Sequence, residues 1–351
     1  MKVIIIGGVA AGMSAAAKFK RLSPNDDVIV YEKGDIVSFG ACGLPYYVGG
    51  FFEDSQEMIA RTPEQFRESG VEIHTKHEVI DVDFSNKKVK VKNLITDEIL
   101  EENYDKLMIA SGARAIIPPI KNIDLENVVT LKSMDDGDKL RELMAKDEYK
   151  KVAIIGAGFI GLEAVEAAKH RGKEVTVIQL QDRVLQEVFD KDITDLLEEE
   201  LRDKGINLLL SETVVELIGE GKVSKVKTDK REIDADIVIL ATGVKPNTDF
   251  LKSDEIKMLR NGAIVVDSYG RTSVEDVYSA GDCATINNLI TGKESYVPLA
   301  TGANKLGRIV GENLAGQNNS FQGSMSSSCI KVMDMEAART GLSEKEVLNL
   351  G

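Results

Sequence analysis

Three short stretches of the chain hold residues whose types and spacing could do chemistry. In Ser38-Phe39-Gly40-Ala41-Cys42-Gly43-Leu44-Pro45-Tyr46-Tyr47 a cysteine stands between glycines, just ahead of a proline suited to a first helical turn. A sulfur near a helix N-terminus is favoured as the nucleophilic thiolate, so Cys42 is the candidate nucleophile. The second stretch is a full G-x-G-x-x-G at Gly156, Gly158 and Gly161. Its first glycine permits a tight turn, its second lets backbone approach a pyrophosphate, and its third lets helix and strand pack. The third stretch, Gly7-Gly8-Val9-Ala10-Ala11-Gly12, keeps the outer glycines but has Val9 in the middle position with Gly8 beside it. Glu32, twenty residues after Gly12, stands where a carboxylate can accept both hydroxyls of a ribose. The corresponding position of the second motif is Gln179, eighteen residues after Gly161, a neutral amide that does not repel a 2′-phosphate. Arg183 is the nearest arginine, so NADH and NADPH both stay open.

These residues need elements to position them, and an internal echo supplies those elements. KVIIIGGVAAG at Lys2 to Gly12 returns as KVAIIGAGFIG at Lys151 to Gly161, a constant offset of 149. Each copy predicts a strand (Val3 to Ile6; Val152 to Ile155), a helix (Met13 to Leu22; Leu162 to Arg171) and a second strand (Val28 to Tyr31; Val175 to Ile178). A further pair of strand-and-turn segments matches as well, YDKLMIASG ending at Gly112 and ADIVILATG ending at Gly243. VYSAGD, ending at Asp282, adds one more strand and an acidic turn suited to a flavin's ribityl chain. The order implies one nucleotide domain inserted in another: 1–113 and 246–320 form the first, 114–245 the second, and 321–351 the start of a third. Ala113 to Lys150, with a charged helix at Ser133 to Ala145, reads as a crossover rather than core. Ala315 to Ser328 reads as a polar linker, and Cys329 to Gly351 as a piece too short to bury a core alone.

Composition bounds the function. A chain of 351 residues predicts two or three domains, and a net charge of −14 argues against nucleic acid and anionic membrane surfaces. The uncharged run Val3 to Ala17 is 15 residues, short of a bilayer span, and its glycines sit where the nucleotide motif requires them, not where a signal peptide would. Three cysteines and three histidines, scattered, fit neither a disulfide scaffold nor a metal site. Reduced thiols and a cytoplasmic location are expected, with Cys283 and Cys329 as packing residues. Histidine is absent from every motif, which argues against a serine-triad hydrolase.

The order GGVAAG, YEK, SFGACGLPYY, ASGA, GAGFIGLE, ATGVKPN and YSAGDC resembles the single-cysteine branch of the FAD-dependent pyridine nucleotide-disulfide oxidoreductases. That branch includes coenzyme A-disulfide reductases, persulfide reductases, NADH oxidases and NADH peroxidases. The resemblance implies an α/β fold of two Rossmann-like domains. It implies FAD held by Gly7, Gly8, Val9, Ala10, Ala11, Gly12, Glu32, Lys33, Ser38, Ser111, Gly112 and Asp282. NADH or NADPH would lie on Gly156, Gly158, Phe159, Ile160, Gly161, Gln179 and Gly243. Glu163, in GLE, would sit near the two redox rings and join Cys42 as a catalytic residue. In two-cysteine members a second cysteine follows five positions after the first; Tyr47 stands there in this chain. The residues after Cys42 favour reduction of a small disulfide or persulfide, with coenzyme A forming a mixed disulfide on Cys42. Ser14, Lys18 and Arg21 form a polar stripe on the first helix that could meet coenzyme A phosphates, with Ser38 and Tyr46 as further substrate contacts. The enzymatic alternative reduces dioxygen or peroxide through a Cys42 sulfenic acid. A flavin-bearing redox sensor is the non-enzymatic one. The family's dimerisation domain is matched only by its opening, EAARTGLSEKEVLNLG, so a homodimer is expected when that domain is complete.

Overall fold

The computed structural model describes residues 1–252 and 254–350. Its α-helices are α1 (Ala10–Leu22), α2 (Leu44–Gly49), α3 (Pro63–Glu68), α4 (Met134–Ala145), α5 (Phe159–His170), α6 (Lys191–Asp203), α7 (Ala300–Leu314) and α8 (Glu344–Leu348). The chain divides into two compact units. One comprises Met1–Gly40, Gln56–Arg114 and Lys245–Met325; the other comprises Ala41–Ser55, Ala115–Val244 and the chain from Ser326 onward.

In the first unit a five-stranded sheet runs in the order Val277–Ser279, Lys106–Ile109, Lys2–Ile6, Asp27–Tyr31, Glu72–His74. All four pairings are parallel. Val3, Ile4, Ile5, Leu107, Met108 and Ile109 have no exposed surface, which is why these segments read as unbroken apolar runs: both faces of a parallel sheet are covered. On one face α1 packs against α7 through small residues. A Cβ on Gly307 would lie 2.6 Å from the Ala11 carbonyl oxygen, and one on Gly311 would lie 2.5 Å from that of Ala15. An antiparallel sheet, His77–Asp83, Lys88–Asn93 and Ile99–Asn103, belongs to the same unit.

The second unit repeats the plan. Its sheet runs Asn207–Leu210, Glu174–Gln179, Lys151–Ile155, Ile237–Leu240, Val128–Val129, again parallel throughout. The echoed strands Lys2–Ile6 and Lys151–Ile155 are the central strands of their sheets, each with its second strand on one side and the later strand-and-turn segment on the other. Both helices of the echo begin earlier than expected, at Ala10 and Phe159, so Gly12 and Gly161 lie inside the first helical turn. Among the described residues no helix is long and apolar enough to cross a membrane.

Three expectations need correction. The segment 133–145 is core and not only a crossover, because Leu140 and Met144 of α4 are buried. Residues 41–55, expected in the first domain, pack within the second unit: the Tyr47 hydroxyl donates to Asp138 Oδ1 at 2.7 Å, and a Cβ on Gly137 would lie 2.6 Å from Leu44 Cδ2. The final residues form a hairpin, Ser328–Val332 and Met335–Arg339, whose Ile330 and Val332 are buried in the second unit.

Candidate functional site

Both glycine turns are built to the same steric rule. Gly7 has φ +101° and Gly156 φ +107°, a region closed to other residues without strain. A Cβ on Gly7 would lie 2.2 Å from the Ala110 carbonyl oxygen, and one on Gly156 would lie 2.4 Å from that of Ala241. The third glycines repeat the match: a Cβ on Gly12 would lie 1.9 Å from Gly7 O, and one on Gly161 would lie 2.1 Å from Gly156 O. Close helix-to-strand packing therefore demands these glycines in both units.

The helix start beyond each turn is suited to an anion. Val9 precedes α1 and Gly158 precedes α5; neither helix start has a side-chain cap or an acid in its first turn. By contrast α3 and α4 close their own starts with capping boxes, Thr62 with Gln65 and Ser133 with Asp136. The leading N–H groups of α1 (Ala10, Ala11) and α5 (Phe159, Ile160) are the donors a pyrophosphate would use. A Cβ on Gly158, or on Gly112 at φ +68°, would meet nothing within 4 Å, so the backbone there lies open to a ligand.

In the first unit the carboxyl ends of the strands gather the expected residues. The Glu32 carboxylate accepts from Gly8 N–H and from Gly34 N–H, each at 2.7 Å. Ser38, at φ +53°, donates its N–H to Gly8 O at 2.9 Å. The Ser111 hydroxyl donates to Asn247 O at 2.6 Å. The turn before Asp282 lies against α1, since a Cβ on Gly281 would be 3.0 Å from Ala11 Cβ. Lys33 points elsewhere and pairs with Glu78 at 3.0 Å, well exposed. Tyr296 was not anticipated; its hydroxyl donates to Asp282 O at 3.1 Å.

The second unit ends its second strand in Gln179, which is buried. Its Oε1 accepts from Ala157 N–H at 3.1 Å, while Nε2 donates to Gln181 Oε1 at 2.9 Å and to Arg183 O at 3.4 Å. Gly243, at φ +105°, accepts at its carbonyl from Ile116 N–H at 3.0 Å. Cys42 is exposed in a single 3₁₀ turn, Ala41–Gly43, directly ahead of α2, with Pro45 in the first turn of that helix as expected. Glu163, half-buried on α5, has its carboxyl pushed up to about 7, first by burial and then by the like charge of Glu166. Glu166 itself pairs with Lys331. Tyr46 is exposed, and burial of its hydroxyl, then Glu163 and Glu166, raise its proton affinity.

The substrate stripe is partly committed. Ser14 Oγ donates to Asn304 Oδ1 at 2.8 Å and Lys18 pairs with Glu312 at 2.7 Å, both on α7; Arg21 alone is exposed. Of the other thiols, Cys283 is buried, as expected of a packing residue, with burial raising its pKa. Cys329 is exposed instead, because its side of the Ser328–Val332 strand alternates away from Ile330. Among the described residues no group of three or more His, Cys, Asp or Glu could hold a metal ion.

The profile of the pyridine nucleotide-disulphide oxidoreductases matches residues 1–307, nearly the whole of the two echoed halves. The chain belongs to this family. As a member it is an oxidoreductase that uses a pyridine nucleotide and a flavin. Among curated relatives of this oxidoreductase, the NAD(P)H coenzyme A polysulfide/persulfide reductase of Pyrococcus horikoshii is 42% identical over 351 residues, covering 100% of this chain and 78% of that protein. The water-forming NADH oxidase from Lactobacillus brevis, bound to NADH, superposes with a TM-score of 0.96 at 36% identity, covering 100% of this chain and 77% of that one. The NAD-dependent persulfide reductase from A. fulgidus superposes at 0.94 with 38% identity, covering 99% and 65%.

Proposed function

We propose that this oxidoreductase passes two electrons from NADH or NADPH, by way of FAD, to Cys42, and there reduces a low-molecular-weight disulfide or persulfide. Coenzyme A disulfide and coenzyme A persulfide are the substrates that fit best. The observation that supports this most is Cys42 itself: an exposed thiol at the leading end of α2, with Tyr47 where a partner cysteine would stand. The 42% identity to a coenzyme A polysulfide/persulfide reductase points the same way.

FAD, when bound, supplies the two-electron relay between nicotinamide and sulfur. Gly7 to Gly12, with the leading N–H groups of α1, would hold its pyrophosphate. Glu32 would take its ribose hydroxyls, Ser38, Ser111 and Gly112 would line it, and Asp282 would take its ribityl chain. Gly156 to Gly161, Gln179 and Gly243 would do the same for the nicotinamide cofactor. The Cys42 thiolate attacks one sulfur of the substrate, forming a Cys42–S–S–R bond and releasing the other half as thiolate. Two electrons that began on the nicotinamide then break that bond, returning Cys42 as thiolate and releasing the second thiolate. Protons for the leaving thiolates come from solvent or from Glu163, whose raised proton affinity keeps it a usable acid near neutral pH. A homodimer remains part of this reading.

The TM-score of 0.96 to a water-forming NADH oxidase favours a second reading, in which Cys42 is oxidised to sulfenic acid by peroxide and reduced back with loss of water. One assay separates them. Without oxygen, a disulfide reductase consumes NAD(P)H in proportion to added coenzyme A disulfide. An oxidase consumes none until oxygen or peroxide is admitted, and that result would overturn the reductase reading.

A further inference from the structure

The carbonyl end of α2 is gripped by side chains from two other helices of the second unit. Arg141 of α4 donates from Nη1 to Tyr47 O at 2.6 Å and to Phe52 O at 3.1 Å. Its Nη2 pairs with the Glu53 carboxylate, and its guanidinium lies 4.5 Å from the centre of the Tyr47 ring. At the end of α5, Arg171 Nε donates to Val48 O at 3.0 Å, and His170 Nδ1 meets Gly49 O at 2.8 Å. The Tyr47 carbonyl also accepts from Gly50 N–H at 3.1 Å, whereas those of Val48 and Gly49, orphaned at this helix end, are taken by the Arg171 and His170 side chains. Packing leaves no slack around them: a Cβ on Gly49 would lie 3.2 Å from Ala167 Cα on α5.

A helix of six residues cannot hold its own shape, since helices shorter than about 12 residues are marginal alone. The conformation of α2, and with it the place of Cys42 two residues ahead, is therefore imposed from outside. We infer that Arg141 and Arg171 are positioning residues for Cys42, fixing the reactive sulfur by holding the opposite end of the short helix that follows it. The inference rests on the reading of Cys42 as the redox nucleophile. A guanidinium is required at position 141 because its planar fork serves two carbonyls and a carboxylate at once, which an ammonium on a flexible stem does not.

The test uses flavin-loaded protein with NADH and, in parallel, coenzyme A disulfide or ferricyanide, an acceptor that takes electrons singly and needs no thiol. Misplacing a reacting group by an ångström costs up to about 100-fold in rate, so Arg141→Met should lower disulfide turnover about tenfold. The KM for NADH and the ferricyanide rate should stay within about twofold of wild type. Amide exchange should quicken in residues 41–52 and nowhere else in the second unit. Arg141→Lys should recover less than half of the loss, and Arg171→Met should lose about threefold in the same pattern. If Arg141→Met does not fold, Arg171→Met alone decides the matter, since it leaves the Arg141 contacts in place. The inference is overturned if disulfide and ferricyanide turnover fall together, which would mark a general structural role. It is equally overturned if exchange in 41–52 quickens while disulfide turnover stays at the wild-type rate, or if the variants match wild type throughout. Cys42→Ser is the reference. Should that variant still reduce the disulfide, the functional reading fails, and the positioning role with it, on a result distinct from those of the arginine variants.

Discussion

In the first unit the second strand, Asp27–Tyr31, leads straight into Glu32, whose two oxygens are held by the N–H groups of Gly8 and Gly34. In the second unit the matching strand ends in Gln179, whose amide is bound by Ala157, Gln181 and Arg183. The turns that carry them agree to 0.2 Å in how closely the first and third glycines approach their neighbours, from 2.2 against 2.4 Å and from 1.9 against 2.1 Å. Sterics were kept and charge was changed. A full negative charge at the strand end suits a ribose with free hydroxyls; a neutral amide there also admits a phosphorylated one. The duplicated scaffold thus has an invariant part, the helix-to-strand contact, and an adjustable part, the residue that reads the sugar.

The largest effect should come from the invariant part. Gly7→Ala and Gly156→Ala each combine a backbone collision with a φ above +100°, and each should cost about 4 kcal/mol or more, read by urea unfolding. Gly158→Ala, which collides with nothing, should leave stability within about 1 kcal/mol of wild type and weaken only the nicotinamide cofactor. Equal stability for all three variants would break the comparison.

Next comes a difference in titration. Glu163 in the second unit is held up at about 7 by burial, with Glu166 adding to it. Between the ordinary carboxylate value and about 7, the folded chain keeps a proton that the unfolded chain has lost, so stability falls as pH rises through that window. The fall should be roughly 3 kcal/mol between about pH 4.5 and about pH 7, at 1.36 kcal/mol per unit. Glu163→Gln should remove that part of the slope, measured by urea unfolding across the window; Glu166→Gln should shift it less. An unchanged slope in Glu163→Gln would contradict the assignment.

A smaller effect sharpens the adjustable part. Gln179→Glu should raise the KM for NADPH about tenfold and leave that for NADH within about twofold, because a carboxylate repels the 2′-phosphate. Glu32→Gln should lower flavin retention about tenfold, read as absorbance lost on gel filtration, since it loses charge-assisted bonds from two backbone donors. Smallest is the substrate stripe. With Ser14 and Lys18 engaged by α7, Arg21→Ala should raise the KM for coenzyme A disulfide about threefold and leave a phosphate-free disulfide unaffected. Equal changes in both would reject a phosphate contact.

Much of this architecture is legible in the residues alone because its determinants are local. Glycine spacing, β-branched runs and the strand-end residues Glu32 and Gln179 lie within about 30 residues of one another, the length of one βαβ unit. Pro45 in the first turn of α2 and the charged helical segment from Ser133 are likewise local signals, and the structure has both. Contacts between distant segments left no such trace. Nothing near Arg141 indicates that its guanidinium serves carbonyls 94 and 89 positions away. The grouping of 41–55 with the second unit was invisible for the same reason. Cys329 looked like a packing residue because a strand's apolar content does not reveal which of two faces a given side chain takes.

The central claim is that Cys42 bonds covalently to half of a small disulfide. Mass spectrometry of the flavin-loaded protein, reduced with NADH under nitrogen and then given excess coenzyme A disulfide, tests it most directly. One coenzyme A is expected on the peptide carrying Cys42, removed by fresh NADH, with Cys283 unmodified. A Cys42 that stays unmodified while the disulfide is consumed, or an adduct confined to Cys329, would contradict it.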